Sequence, residues 1–130
     1  MNELIKEMQV GESRFCYDED DILYIEIAGE YNEQNALAIR DAFLEMLGMA
    51  KKNDEGKIKI LVNSNAAKKP TPEARKMFSK LMEDESVGKI AIYGSNPVVR
   101  VIASFVIGFS KNKNIKIFNS KEDALAWFKE

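Results

Sequence analysis

Two sets of small polar side chains have the types and spacing to receive an anion. Asn63, Ser64, Asn65 and Thr71 follow the apolar run 58–62, and Gly94, Ser95, Asn96 and Arg100 follow the run 89–93. Each set leads into a segment opened by a proline, Pro72 or Pro97, the residue that helices favour at their first position. Helix N-termini carry unpaired N–H groups and the positive end of the backbone dipole. If the two runs are neighbouring strands, Asn65, Thr71, Ser95, Asn96 and Arg100 can converge on one phosphate or carboxylate. The simpler alternative is a pair of ordinary caps, with Arg100 solvated or paired to a carboxylate.

Other clusters have plainer readings. Asp18, Glu19, Asp20 and Asp21 gather carboxylates, but the glycine and terminal glutamate of a calcium loop are not at the required spacing, which leaves a hydrophilic turn. Lys68, Lys69, Arg75, Lys76 and Lys80 form a basic cluster that Glu83, Asp84 and Glu85 offset at once. Histidine is absent and Cys16 is the single cysteine, so the usual general base, the zinc-ligand sets and an intrachain disulfide are all missing. No catalytic residue, metal site or cofactor is assigned. A net charge of −2 argues against nucleic acid as the main partner. The first eight residues mix Glu3, Lys6 and Glu7 with apolar ones, unlike a signal peptide, and the most apolar stretch, 97–109, is too short to span a bilayer. The expected location is the cytoplasm.

The elements that must position these residues are read from periodicity. Residues 14–17 and 22–28 are β-rich runs joined by the acidic turn, a hairpin. Ala36, Ile39, Phe43, Leu47 and Ala50 recur at helical spacing over 32–52. Residues 58–62 alternate as a strand, and a helix over 71–83 starts from Thr71 as N-cap with Pro72 behind it. Residues 89–93 and 115–118 are further strands, with a helix over 97–109 between them. Ser120 and Asp123 form a capping box for a last helix over 121–128. A hairpin followed by alternating helices and strands implies an α/β fold: about five strands in a mixed sheet with four helices. A single domain is expected over 13–130, preceded by an N-terminal segment, 1–12.

Thr71-Pro72-Glu73-Ala74-Arg75, the run from Gly94 through Pro97 and Arg100 to Ala103, and Phe118 followed by Glu122-Asp123-Ala124-Leu125-Ala126-Trp127-Phe128 together resemble the SpoIIAA-like (STAS/SEC14-like) domain family. The resemblance implies a STAS-like sandwich and a role in binding or regulation. In the family's anti-sigma-factor antagonists, a phosphorylatable serine sits in an Asp-Ser-Ser-Gly-like turn. The matching turn here is Lys69-Pro70-Thr71-Pro72, which makes Thr71 the phosphorylation candidate although the aspartate and glycine are missing.

Function is therefore expected to be a non-enzymatic regulatory or protein-binding module, with a carrier or sensor of a small lipophilic or anionic ligand as the alternative. A homodimer is expected because nine of the thirteen residues of 97–109 are apolar and a sheet covers one side of a helix. On that helix Val99, Ala103, Val106 and Ile107 would form the dimer interface.

Overall fold

The computed structural model describes residues 4–30, 32–49, 57–94, 97, 100 and 114–130. Its framework is a sheet of six strands whose spatial order equals their chain order: β1 (Leu4–Val10), β2 (Ser13–Asp18), β3 (Ile22–Glu26), β4 (Ile58–Asn63), β5 (Val87–Tyr93) and β6 (Ile115–Phe118). The first three strands run antiparallel as two hairpins, and β3 to β6 are parallel. Short turns can join antiparallel neighbours, whereas parallel ones need a crossover. Helix α1 (Glu33–Met49) crosses between β3 and β4, and α2 (Pro72–Leu81) between β4 and β5. A last helix, α3 (Lys121–Phe128), follows β6.

Alternation along the strands divides the core between the two faces of the sheet. Phe15, Leu23, Ile25, Ile60, Val62, Ile90 and Ile92 point to one side and meet Ile39, Phe43 and Met46 of α1 and Ala74 and Leu81 of α2. Ile22, Leu61 and Ala91 point to the other and meet Ala124, Trp127 and Phe128 of α3. Ile60 and Leu61, at 0% and 1% exposed, face opposite ways, so β4 is covered on both sides as a central parallel strand should be. Each fully buried large side chain contributes about 1.5–3 kcal/mol over leaving it in water.

Local chemistry sets the helix starts. Thr71 is extended (φ −69°, ψ 160°), and its Oγ1 accepts the Ala74 N–H at 3.2 Å. Ser120 Oγ accepts the Asp123 N–H at 3.2 Å in the same manner for α3. Asn32 Oδ1 caps α1 by accepting the N–H groups of Gln34 and Asn35.

The sheet differs from expectation in its strand count, six in place of five. The extra strand lies in the segment read as an N-terminal extension, where β1 pairs with β2 from Leu4↔Asp18 to Val10↔Ser13. Gly11, with φ 58°, supplies the left-handed residue that a tight two-residue turn needs, and Met8 and Val10 pack against the main core. Three helices are described. The expected fourth, 97–109, lies outside the described residues except for Pro97 and Arg100, both of which have helical backbone. No described helix is long and apolar enough to cross a membrane.

Candidate functional site

The carboxyl ends of the parallel strands, where crossover helices begin, form the edge at which α/β sheets gather functional groups. β4 and β5 are neighbours there, with Asn63 opposite Tyr93. Ser64, 5% exposed, ties the two strand ends together: its N–H donates to Tyr93 O at 2.9 Å and its hydroxyl donates to the same oxygen at 3.0 Å. Gly94 adopts φ 148°, and a β-carbon on it would lie 2.5 Å from Ser64 Oγ and 3.0 Å from Asn65 N, so only glycine lets the two loops approach this closely. Asn63 Oδ1 accepts the Asn65 N–H at 3.0 Å, which turns the chain out of the sheet. The loop is then pinned to the end of β3 by Gly29 N–H to Ala66 O at 3.1 Å and Lys68 N–H to Gly29 O at 3.0 Å.

The residues named for an anion site are distributed unevenly over this edge. Asn65 sits in the β4 turn. Thr71 stands at the start of α2 beside acid. Glu33, in the first turn of α1, is held below the usual carboxylate range first by a hydrogen bond with its own backbone, then by hydrogen bonding with Glu73 and Thr71. Glu73, in the first turn of α2, complements the dipole at that N-terminus from within the chain. Arg100 turns the other way: its Nη1 donates to Asn119 Oδ1 at 2.8 Å, across to the loop after β6. Ser95 and Asn96 lie outside the described residues, as do Val99, Ala103, Val106 and Ile107 of the expected dimer interface.

Cys16 is buried on β2, and its thiol is pushed up by burial, with Arg14 acting in the opposite direction. A protonated, enclosed thiol is a poor nucleophile, in keeping with a structural side chain. The acidic run is divided by its surroundings. Asp18 is 1% exposed, and its Oδ1 accepts the N–H groups of Asp20 at 2.9 Å and Ile22 at 3.2 Å. Tyr17 donates its hydroxyl to Asp21 Oδ1, while Glu19 and Asp20 stay exposed. Among the described residues no three His, Cys, Asp or Glu side chains are gathered as a metal site would gather them.

The sequence places Leu37 and Leu44 beside the helical stripe of α1 but assigns them no role. Leu37 and Leu44 are 48% and 44% exposed and stand seven residues apart, which returns them to one side of the helix. Between them Arg40 pairs with Asp41 at 3.0 Å. Beside them, between α1 and α2, runs a cleft of about 510 Å3 whose lining includes Leu44, Lys76, Met77, Lys80 and Asp84. The signal that would have found it is the pair itself: Leu37 and Leu44 sit beside the buried stripe of Ala36, Ile39 and Phe43 without belonging to it.

Comparison with solved structures gives the fold a family context. An anti-sigma factor antagonist from Mycobacterium paratuberculosis superposes with a TM-score of 0.66 at 14% identity, covering 96% of each chain. An uncharacterized DUF3478-family protein with a SpoIIAA-like fold from Shewanella loihica PV-4 matches with a TM-score of 0.60 at 16% identity, over 98% of this chain and 94% of that one. The anti-sigma factor antagonist SpoIIAA in its unphosphorylated form matches with a TM-score of 0.57 at 12% identity, over 99% and 98%. No curated protein matches the sequence. At these identities the likeness is one of fold, and the fold is SpoIIAA-like. The sequence family described as Domain of unknown function (DUF7793) matches residues 16–130, from the middle of β2 to the end of α3, and the chain belongs to that family.

Proposed function

We propose that this chain is a non-enzymatic regulatory module that acts by binding another protein through the outer face of α1 and the adjoining α1–α2 cleft. The observation that carries the reading is the exposed pair Leu37 and Leu44 beside a cleft that is apolar at Leu44 and Met77 and charged at its rim. An apolar centre ringed by charge is the anatomy of a protein-binding patch. Two of the solved structures that share the fold are described as anti-sigma factor antagonists, proteins that act on other proteins. The chain has no histidine, which leaves partner binding better supported than acid–base chemistry.

A photo-crosslinking residue placed at position 37 or 44 in the native host tests the proposal, with position 19, exposed at the far hairpin, as control. Discrete adducts are expected at 37 and 44 and not at 19. The yield at 37 should fall about tenfold with Leu44→Glu, as loss of one central contact does. Adducts no stronger at 37 and 44 than at 19 would overturn it.

Self-association through Val99, Ala103, Val106 and Ile107 belongs to the same proposal and rests on the apolar composition of 97–109. The wild type should sediment as a dimer and Ile107→Glu as a folded monomer. A wild type that remains monomeric at high micromolar concentration removes this part of the reading.

A further inference from the structure

On the sheet face opposite α1 and α2, α3 leaves part of the surface open, and a groove of about 520 Å3 lies along it. The register builds its floor and rim. Arg14, Glu26, Asn63 and Tyr93 are successive partners in one row across β2, β3, β4 and β5. Tyr24 lies in the next row, and Leu125 of α3 forms a wall.

The charges in and around this groove are not evenly matched. Arg14 Nε is engaged by Glu7 Oε1 at 2.8 Å. Lys121 Nζ stands over the Tyr24 ring, 5.4 Å from its centroid. Arg14 is therefore paired with a carboxylate, whereas Lys121 rests on a ring face. Glu26 is exposed and lies directly opposite Arg14, whose charge it favours, but it forms no direct ion pair among the described residues. Burial first, then the carboxylates of Glu26 and Glu122, push the Tyr93 phenol up.

We propose that this groove is a binding site for a small organic cation, an ammonium or guanidinium on an apolar body, with Glu26 as counter-charge and Tyr93 as an aromatic wall. Glu26 and Tyr93 are two strands apart, about 10 Å between backbones, room for one cation to touch the carboxylate and the ring face together. Asn63 lies between them, and Leu125 offers apolar surface to the rest of the molecule. The volume suits a small molecule.

Titration of the 15N-labelled full chain with phenethylammonium, and separately with the anion of the same shape, phenylacetate, tests the assignment. Saturable amide shifts are expected around Glu26, Asn63 and Tyr93 with phenethylammonium at millimolar concentration, and binding about tenfold weaker or absent with phenylacetate. Glu26→Gln, at an exposed position, should keep the spectrum of the folded chain and lose the phenethylammonium shifts. Tyr93→Phe, which keeps the ring, should retain them. No saturable shift in the wild type, equal or tighter binding of phenylacetate, or unchanged binding in Glu26→Gln would each overturn the site. Because the groove and the α1–α2 cleft lie on opposite faces of the sheet, failure here leaves the protein-binding reading standing.

Discussion

Trp127→Ala is expected to lower the unfolding free energy by about 3–5 kcal/mol, the range for removing a large aromatic side chain from a core. Trp127 is 7% exposed and anchors the smaller of the two hydrophobic layers, with Phe118 at 5.5 Å and Phe128 at 5.9 Å between ring centroids. Two ammonium groups add to the ring contacts: Lys89 Nζ lies 5.0 Å and Lys116 Nζ 5.2 Å from the indole centroid. Lys89 also donates to Trp127 O at 2.8 Å and to Glu130 O at 3.0 Å, closing the carboxyl end of α3 with a positive charge. At 8 residues, α3 is far too short to hold as an isolated helix, so its order depends on what this layer buries. For a domain whose total stability is about 5–15 kcal/mol, such a loss should shift the melting temperature by roughly 10–20 °C. Urea unfolding monitored by circular dichroism measures it. A change below about 1 kcal/mol would mean that α3 contributes little and that the larger layer under α1 and α2 holds the sheet alone.

The same layer shows what the sequence could disclose. Helix starts are local events: Thr71 with Pro72, and Ser120 with Asp123, mark α2 and α3 because the capping side chain lies three residues from the N–H it accepts. Strand alternation at 58–62, where Ile60 and Val62 face α1 and Leu61 faces α3, is equally local. β1 was harder to read because an edge strand covers little core. Only Met8 and Val10 reach the core from its described side chains, between exposed Glu7 and Gln9, and the turn signal is the single Gly11. The anion cluster depended on side-chain direction, which spacing does not carry. Adjacency of β4 and β5 is a condition that the sequence leaves open and the register supplies, and Asn119, to which Arg100 donates, comes from a loop one crossover later. The row of Arg14, Glu26, Asn63 and Tyr93 exists only in the observed register, since a slip of one residue would send each side chain to the opposite face.

The run 18–21 reads as a hydrophilic turn, yet Asp18 is buried, and the geometry predicts that the members of the run differ sharply. Asp18→Ala should cost about 2–4 kcal/mol, whereas Asp20→Ala, two residues away, should stay within about 0.5 kcal/mol of wild type. Asp18 is 1% exposed, and its Oδ1 accepts two backbone N–H groups, from Asp20 at 2.9 Å and Ile22 at 3.2 Å. Truncation to alanine leaves both donors without that acceptor, and a buried donor stripped of its partner costs about 1–3 kcal/mol. Ile22 is the first residue of β3, so the lost bond also loosens the point at which β3 enters the sheet beside β4. Asp20 contributes its N–H to that arrangement, and alanine supplies the same group, while its own side chain is exposed. Asp21 is a separate case: it adopts φ 58°, a conformation aspartate tolerates better than most residues, and it receives the Tyr17 hydroxyl. Parallel urea titrations of the Asp18→Ala and Asp20→Ala variants decide the matter. Equal effects would mean that charge density in the run 18–21, and not the hydrogen bonds of one buried carboxylate, shapes this hairpin.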